Sequence, residues 1–304
     1  MIPLISSESR KGELFILSSA LLWGFFPIVT VLTYQNLPSL VSLTWSMIFS
    51  AFFFFGFMAY RNKWKELLNP QFLKYSILIA IFITLFYVLE FTGLTMSTPG
   101  NLAIIGLLEV FTTFLFFNVL RREFIPREHV IGGLLMVFGA GIILIRDFSS
   151  INLGDILFFA AICTTPFGNM YQQRAREIAS SESIMFLRVI FSIPVLFLLV
   201  YVLGINAPFA NIKESILLLI INGVLLLGLS KIFWLEAIHR ISVSKGIALG
   251  TLAPFLTLIL AWLILDQAPT IWQISSLPLL VIGVLLLTDQ LKLVPILKFF
   301  RKPE

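Results

Sequence analysis

Apolar residues run through this chain in stretches of about 20, separated by short polar or turn-rich breaks. A helix rises about 1.5 Å per residue, so about 20 apolar residues cross the ~30 Å hydrocarbon core of a bilayer. The runs predict helices at 13–33, 39–60, 73–95, 99–120 and 129–147, then at 153–173, 182–203, 212–236, 243–265 and 269–291. The first run exceeds the apolar stretch of a secretion signal and lacks a small-residue cleavage site, so it is expected to stay as a helix. The predicted fold class is an all-α polytopic membrane protein with ten transmembrane helices.

Composition agrees: 59% of the 304 residues are apolar and 12% charged, with a mean hydropathy of +1.00, whereas soluble domains are about 25% charged. Of the 21 Lys and Arg, seventeen fall before helix 1, after helices 2, 4, 6 and 8, or at the C-terminus. Only Arg146 and Lys213 occupy the alternate connections, and Arg188 and Lys231 lie inside spans. The positive-inside rule then puts both termini in the cytoplasm. The net charge of +5 is therefore a topological signal and gives no reason to expect nucleic acid; the bilayer is the expected surroundings. With one cysteine, Cys163, an intramolecular disulfide and a cysteine metal cluster are excluded. Neither a metal nor another cofactor is expected.

Five spans is an odd number, so a second half that repeats the first must lie upside down in the bilayer. A shift of 144 residues aligns Gly106 with Gly250, Phe111 with Phe255, Thr113 with Thr257 and Gly139 with Gly283, while a shift of 142 pairs "GELF" (12–15) with "GDIL" (154–157). The expected units are 1–147 and 148–304, two inverted five-helix repeats. Together with "ALLWGFFP" (20–27), "WLEAIHRISVSKGIALGTLAPFLTLILAWLILDQ" (234–267) and "GVLLL" (283–287), these features resemble the EamA-type carriers of the drug/metabolite transporter superfamily across essentially the whole chain. The resemblance implies a secondary transporter in a bacterial inner membrane that exports amino acids or related small metabolites, sometimes drugs. In such carriers a proline opens the second half of helices 4 and 9, often just after a glutamate. Pro254 keeps that pattern, but in helix 4 Glu109 is followed by Val110.

Glu109 is about ten residues from either end of its helix, hence ~15 Å from each surface. It cannot reach water there, so it must face protein or a wet cavity. Its stripe holds Ile105, Gly106, Thr112 and Thr113, with Thr98 further along, and this face is assigned inward. The carboxylate is either a proton- or cation-coupling site that also meets substrate, or a permanently hydrogen-bonded structural group.

Arg188 and Lys231 could extend to the headgroups. Against this, Arg188 shares a face with Ile184, Ser192 and Val195, and the resemblance implies an arginine here, so a structural or gating ion pair is expected. Lys231 stacks with Gly228 and Trp234, whereas Asn222, nine residues away, points to the other side of a straight helix. Lys231 and Trp234 are the better cavity candidates. Glu90 lies above Tyr87 in the outer third of helix 3, where it either senses outer water as a coupling or gating group or is merely solvated.

Paired Gly/Pro interruptions at matching places in two halves point to a midplane binding site. Gly24 and Pro27 in helix 1 are expected to break it beside Ser19, Trp23 and Thr30; in helix 6 Pro166 and Gly168 play that part beside Thr165, Asn169 and Gln172. The competing reading is helix packing through small residues. The candidate substrate-binding residues are thus Trp23, Tyr87, Glu109, Asn169, Lys231 and Trp234; the candidate coupling or gating residues are Glu109, Glu90 and Arg188. The 31 Phe read mainly as lipid contact and core.

Other classes have weaker footing. No GxxxxGK[ST] loop or HExxH occurs. "GLSK" (228–231) has the Gly-x-Ser shape of an intramembrane serine enzyme, but His239 lies nine residues on, ~13 Å along the helix and on its opposite face. A passive channel is a further alternative. A small-molecule substrate is expected in every transport reading, and the protein would work alone or as a homodimer.

Overall fold

The computed structural model describes residues 7–119, 126–144, 152–241, 246 and 249–292. The regular elements among those residues are all helical, joined by turns and short irregular segments, with no strand among them. The helices are α1 (Ser7–Thr33), α2 (Ser39–Arg61), α3 (Pro70–Gly93), α4 (Pro99–Gly106), α5 (Leu108–Phe114) and α6 (Arg127–Leu144). The second half supplies α7 (Leu153–Arg176), α8 (Ser181–Val202), α9 (Phe209–Glu214), α10 (Ile216–Ile220), α11 (Ser230–Arg240), α12 (Leu252–Leu265) and α13 (Ile271–Leu287). Eight stretches are long and apolar enough to cross a membrane; α12 and α13, at the places of predicted spans nine and ten, are shorter apolar helices. The expected boundary at 147/148, the start of helix 9 at 243 and the basic residues Arg121, Arg122, Arg146, Lys245, Lys298, Arg301 and Lys302 lie outside the described residues.

Local chemistry sets the ends. Asn69 caps α3 through its side-chain oxygen, with Pro70 at the first position, where no N–H is needed. Thr98 and Pro99 repeat the device at α4. Asn62, in left-handed conformation, closes α2.

Helix partners form a symmetric list. α3 packs along α7, and α1 along α11; α2 packs on α8, α4 on α12, and α6 on α13; α1 also meets α12, as α7 meets α4 and α5. Exchanging the two halves maps this list onto itself. Lipid gives no hydrophobic drive for helices to associate, so close backbone approach through small residues must do much of it. A Cβ on Gly12 would lie 2.7 Å from Ile241 Cγ2, and one on Gly154 2.6 Å from the Gly93 carbonyl oxygen: the glycines of "GELF" and "GDIL" both seat the start of one helix against the end of another. Gly223 is tighter still, its absent Cβ being 2.3 Å from the Ser46 carbonyl oxygen.

The outside of the bundle is apolar, with Phe52, Phe138 and Leu263 exposed. Tyr60 and Tyr201, both 83% exposed near helix ends, occupy places suited to the interfacial aromatic belt.

Two expectations about interruptions change. α1 runs unbroken through Gly24 and Pro27, and α7 through Pro166 and Gly168. Gly24 and Gly168 are packing sites: a Cβ there would meet Leu256 Cδ2 at 2.7 Å or Ile83 Cδ1 at 2.6 Å. The matched interruptions lie instead at Leu107, between α4 and α5, and at Thr251, just before α12. The 144-residue shift superposes these two positions, as it superposes Val110 on Pro254. At Leu107 the backbone tightens into three-residue bonds, with Leu107 N–H donating to the Ile104 carbonyl at 3.1 Å and Val110 N–H to the Leu107 carbonyl at 3.3 Å.

Ile221–Leu229, between α10 and α11, is wound more loosely than an α-helix, with Ser230 N–H reaching back to the Leu225 carbonyl. Such π-wound stretches cluster at functional sites. This one delivers Lys231 to the molecule's interior.

Candidate functional site: a charged cavity between the halves

A cavity of about 440 Å³ lies between the two halves. The first half contributes Trp23, Pro27, Tyr87, Glu90 and Glu109 to its wall; the second contributes Asn169, Arg188, Lys231, Trp234 and Pro254. The six candidate substrate-binding positions and the three coupling or gating positions are therefore brought together. Gly24, Pro166 and Gly168 are not part of the wall.

Aromatic rings build one side. Trp23 and Phe26 are stacked, with centroids 4.4 Å apart and planes 3° from parallel, and Tyr87 meets Phe26 edge-on at 6.3 Å. The two cations rest on this side. Lys231 Nζ is 3.3 Å from the centroid of the Trp23 ring, and the Arg188 guanidinium is 5.8 Å from that of Tyr87. A cation away from water gains most from a ring face.

The carboxylates differ. Glu109 lies in the first turn of α5, where Asn169 Nδ2 donates to its Oε1 at 2.9 Å and Gln172 in turn donates to Asn169 Oδ1 at 3.4 Å. Gly106 and Thr113 from its predicted stripe also face the cavity, while Ile105 is packed in the core and Thr98 belongs to a different cluster near Gln273. Glu90 is 5% exposed and its Oε2 has no hydrogen-bond partner. It is not solvated at the outer surface; it faces the cavity.

Arg188 corrects another expectation. It is 2% exposed, so it does not snorkel, and no ion pair holds it among the described residues. Its Nη2 donates to the Leu227 carbonyl at 3.4 Å, in the loosely wound stretch, and its Nε has no partner. Lys231 likewise has no carboxylate within ion-pair distance among the described residues. Glu90, Glu109, Arg188 and Lys231 thus share one chamber with no ion pair among them.

Asn222 is fully buried and donates to Thr30 Oγ1 at 3.1 Å, away from the cavity wall. Ser230 is also absent from the wall; its hydroxyl donates to the Leu226 carbonyl. The wall also includes Gln173, Arg176 and His239, at the ends of α7 and α11. The sequence places Arg176 in the connection after helix 6, Gln173 at that helix's last position and His239 beyond the predicted end of helix 8 at 236, since nothing in an apolar pattern says how far a cavity extends along a helix. The chamber therefore reaches the end of the bundle where the basic connections lie.

Residues 10–145 and 152–289 each match the model of the EamA-like transporter family. The chain belongs to this family. The protein is accordingly a multi-pass membrane transporter, and the two matched stretches correspond to the two halves that meet at the cavity. Among solved structures, one described only as "Crystal structure of protein" is 18% identical to this EamA-like transporter, covering 92% of its chain and 97% of the other with a TM-score of 0.64, a likeness of fold. No curated protein matches it.

Proposed function

We propose that this EamA-like protein is a secondary transporter that exports amino-acid-sized, amphipathic metabolites by alternating access between two inverted five-helix repeats. In this reading ten spans cross a bacterial cytoplasmic membrane, with both termini in the cytoplasm as the positive-inside rule requires. The observation that carries the reading is the cavity itself, walled by both halves and containing Glu90, Glu109, Arg188 and Lys231. Its volume, about 440 Å³, falls in the range of small-molecule sites. A solute with an ammonium and a carboxylate can exchange its hydration for partners of both signs there. The stacked Trp23 and Phe26 rings offer a face for an apolar side chain.

Glu109 is the proposed coupling carboxylate, titrating between the two orientations of the chamber. A metabolite screen by thermal shift identifies the ligand, because a solute that binds only the folded state raises its melting point. Counterflow in proteoliposomes then tests the carrier: excess unlabelled ligand on the far side should accelerate uptake of label, which a passive channel would not do. Replacing Glu109→Gln should remove the dependence of transport on a proton gradient; an unchanged dependence would end the coupling assignment.

A further inference from the structure

A second buried polar cluster lies at the opposite end of the bundle from Arg176. Three helix N-termini meet there, each with a capping residue followed, three positions on, by another polar side chain: Thr98 and Asn101 in α4, Asn152 and Asp155 in α7, Thr270 and Gln273 in α13. A side chain at that third position ordinarily turns back on its own cap. Gln273 does so, accepting from the Thr270 N–H, and Asn101 links it to Asp155 across the three helices. Gln273 Nε2 donates to Asn101 Oδ1 at 2.7 Å, Asn101 Nδ2 donates to both Asp155 carboxylate oxygens at 3.0 Å, and the Ser97 hydroxyl donates to Asp155 as well. Asp155 is 1% exposed.

The cluster lies beside two spaces: Thr98 and Gln273 line the smaller one, and Asn101 is next in the chain to Leu102 of the larger. The wall of the large cavity includes Leu102 and Ala103, whereas a small cavity of about 40 Å³ is lined by the neighbouring Thr98 and Gly100 with Leu258 and Gln273. A Cβ on Gly100 would lie 2.7 Å from Gln273 Nε2 and 2.9 Å from Leu258 Cδ2, so Gly100 is in direct contact with both side chains. The cluster joins α4 of the first half to α7 and α13 of the second, along the seam that alternating access has to part.

We infer that this three-helix knot is the closed gate between the central cavity and the face opposite the basic connections, with Asp155 as its positioning residue. The inference rests on the transporter reading. Hydrogen bonds to a carboxylate are among the stronger ones, yet water can replace them. The knot therefore holds the seam shut in one orientation and can be released to water in the other, when the small cavity becomes the outer mouth of the path.

The test needs no known substrate. In a Cys163→Ser background, a single Ala103→Cys, at a half-buried position on the cavity wall, is exposed to a charged, membrane-impermeant methanethiosulfonate from one face of the membrane at a time. With the knot intact, labelling should be fast from the basic face and slow from the other. Asp155→Ala and Asn101→Ala should each accelerate labelling from the opposite face by about tenfold, with Asp155→Asn, which keeps one acceptor, in between. Should Asp155→Ala not fold, Gln273→Leu, which cuts only one arm, decides. Unchanged labelling from that face in the folded variants would overturn the gate. Failure of the transporter reading would show separately, as absence of counterflow with the ligand found by thermal shift in the unmodified protein.

Discussion

The Lys231 ammonium sits 3.3 Å above the centroid of the Trp23 ring, joining the second half of the chain to the first without a carboxylate between them. A desolvated contact of this kind is worth about 2 kcal/mol. Trp23→Leu and Lys231→Met should each lower the thermal stability of the purified protein. The double variant should be less destabilised than their sum by roughly that amount, as read in a double-mutant cycle. Strict additivity would mean that the ring and the ammonium are merely adjacent.

Acid stability should depend on Glu66, in the turn between α2 and α3. Burial alone would push its carboxyl up, but hydrogen bonds from Ser183 Oγ, Ser180 N–H and Ser180 Oγ outweigh that and hold it below the usual range. A depressed folded value stabilises the protein above the unfolded value. That contribution fades as the pH falls from about 4.3, the unperturbed value for Glu, through the folded one. Glu66→Gln should remove this part of the pH dependence, most visibly as a smaller loss of melting temperature on acidification. An acid profile identical to that of the parent would refute the assignment.

Gly223→Ala should destabilise by about 1–3 kcal/mol, the usual cost of forcing an extra methyl into a packed interface. The added carbon would lie 2.3 Å from the Ser46 carbonyl oxygen, so α2 and the loosely wound stretch must move apart. Gly56→Ala, where nothing lies within 4 Å, is the control and should be near neutral in the same melt.

Proline at 110 should be accepted. The Val110 N–H makes only the 3.3 Å three-residue bond to Leu107, and the superposed position already holds Pro254. Val110→Pro should therefore cost well under the ~3 kcal/mol of proline in a helix interior, whereas Val88→Pro, inside α3, should incur it in full. Equal losses in thermal unfolding would show that the two interruptions are not equivalent.

The sequence is legible where periodicity or charge does the work. The eight long helices follow from apolar run length, and Glu109, Lys231 and Arg188 stand out because ionisable groups are costly inside a span. The cavity's reach to Arg176 and His239 is not legible, because it depends on which helices splay apart. Gly24, Pro27, Pro166 and Gly168 mislead because a proline inside a helix removes one hydrogen bond without forcing a break, and glycine serves packing equally well. The Asn101–Asp155–Gln273 cluster does have a signal, the repeated cap-x-x-polar start of three helices. That signal normally means local capping, and only the tertiary arrangement makes it a contact between helices.

The joints at Leu107 and Thr251 occupy superposed positions, yet one precedes a valine and the other a proline by three residues. The same bend is thus made with a valine in one half and a proline in the other. When a duplicated chain diverges this far, kinship between its halves is better sought by counting residues from each bend than by matching letters, because mutation can rewrite the letters while the folding path keeps its corners.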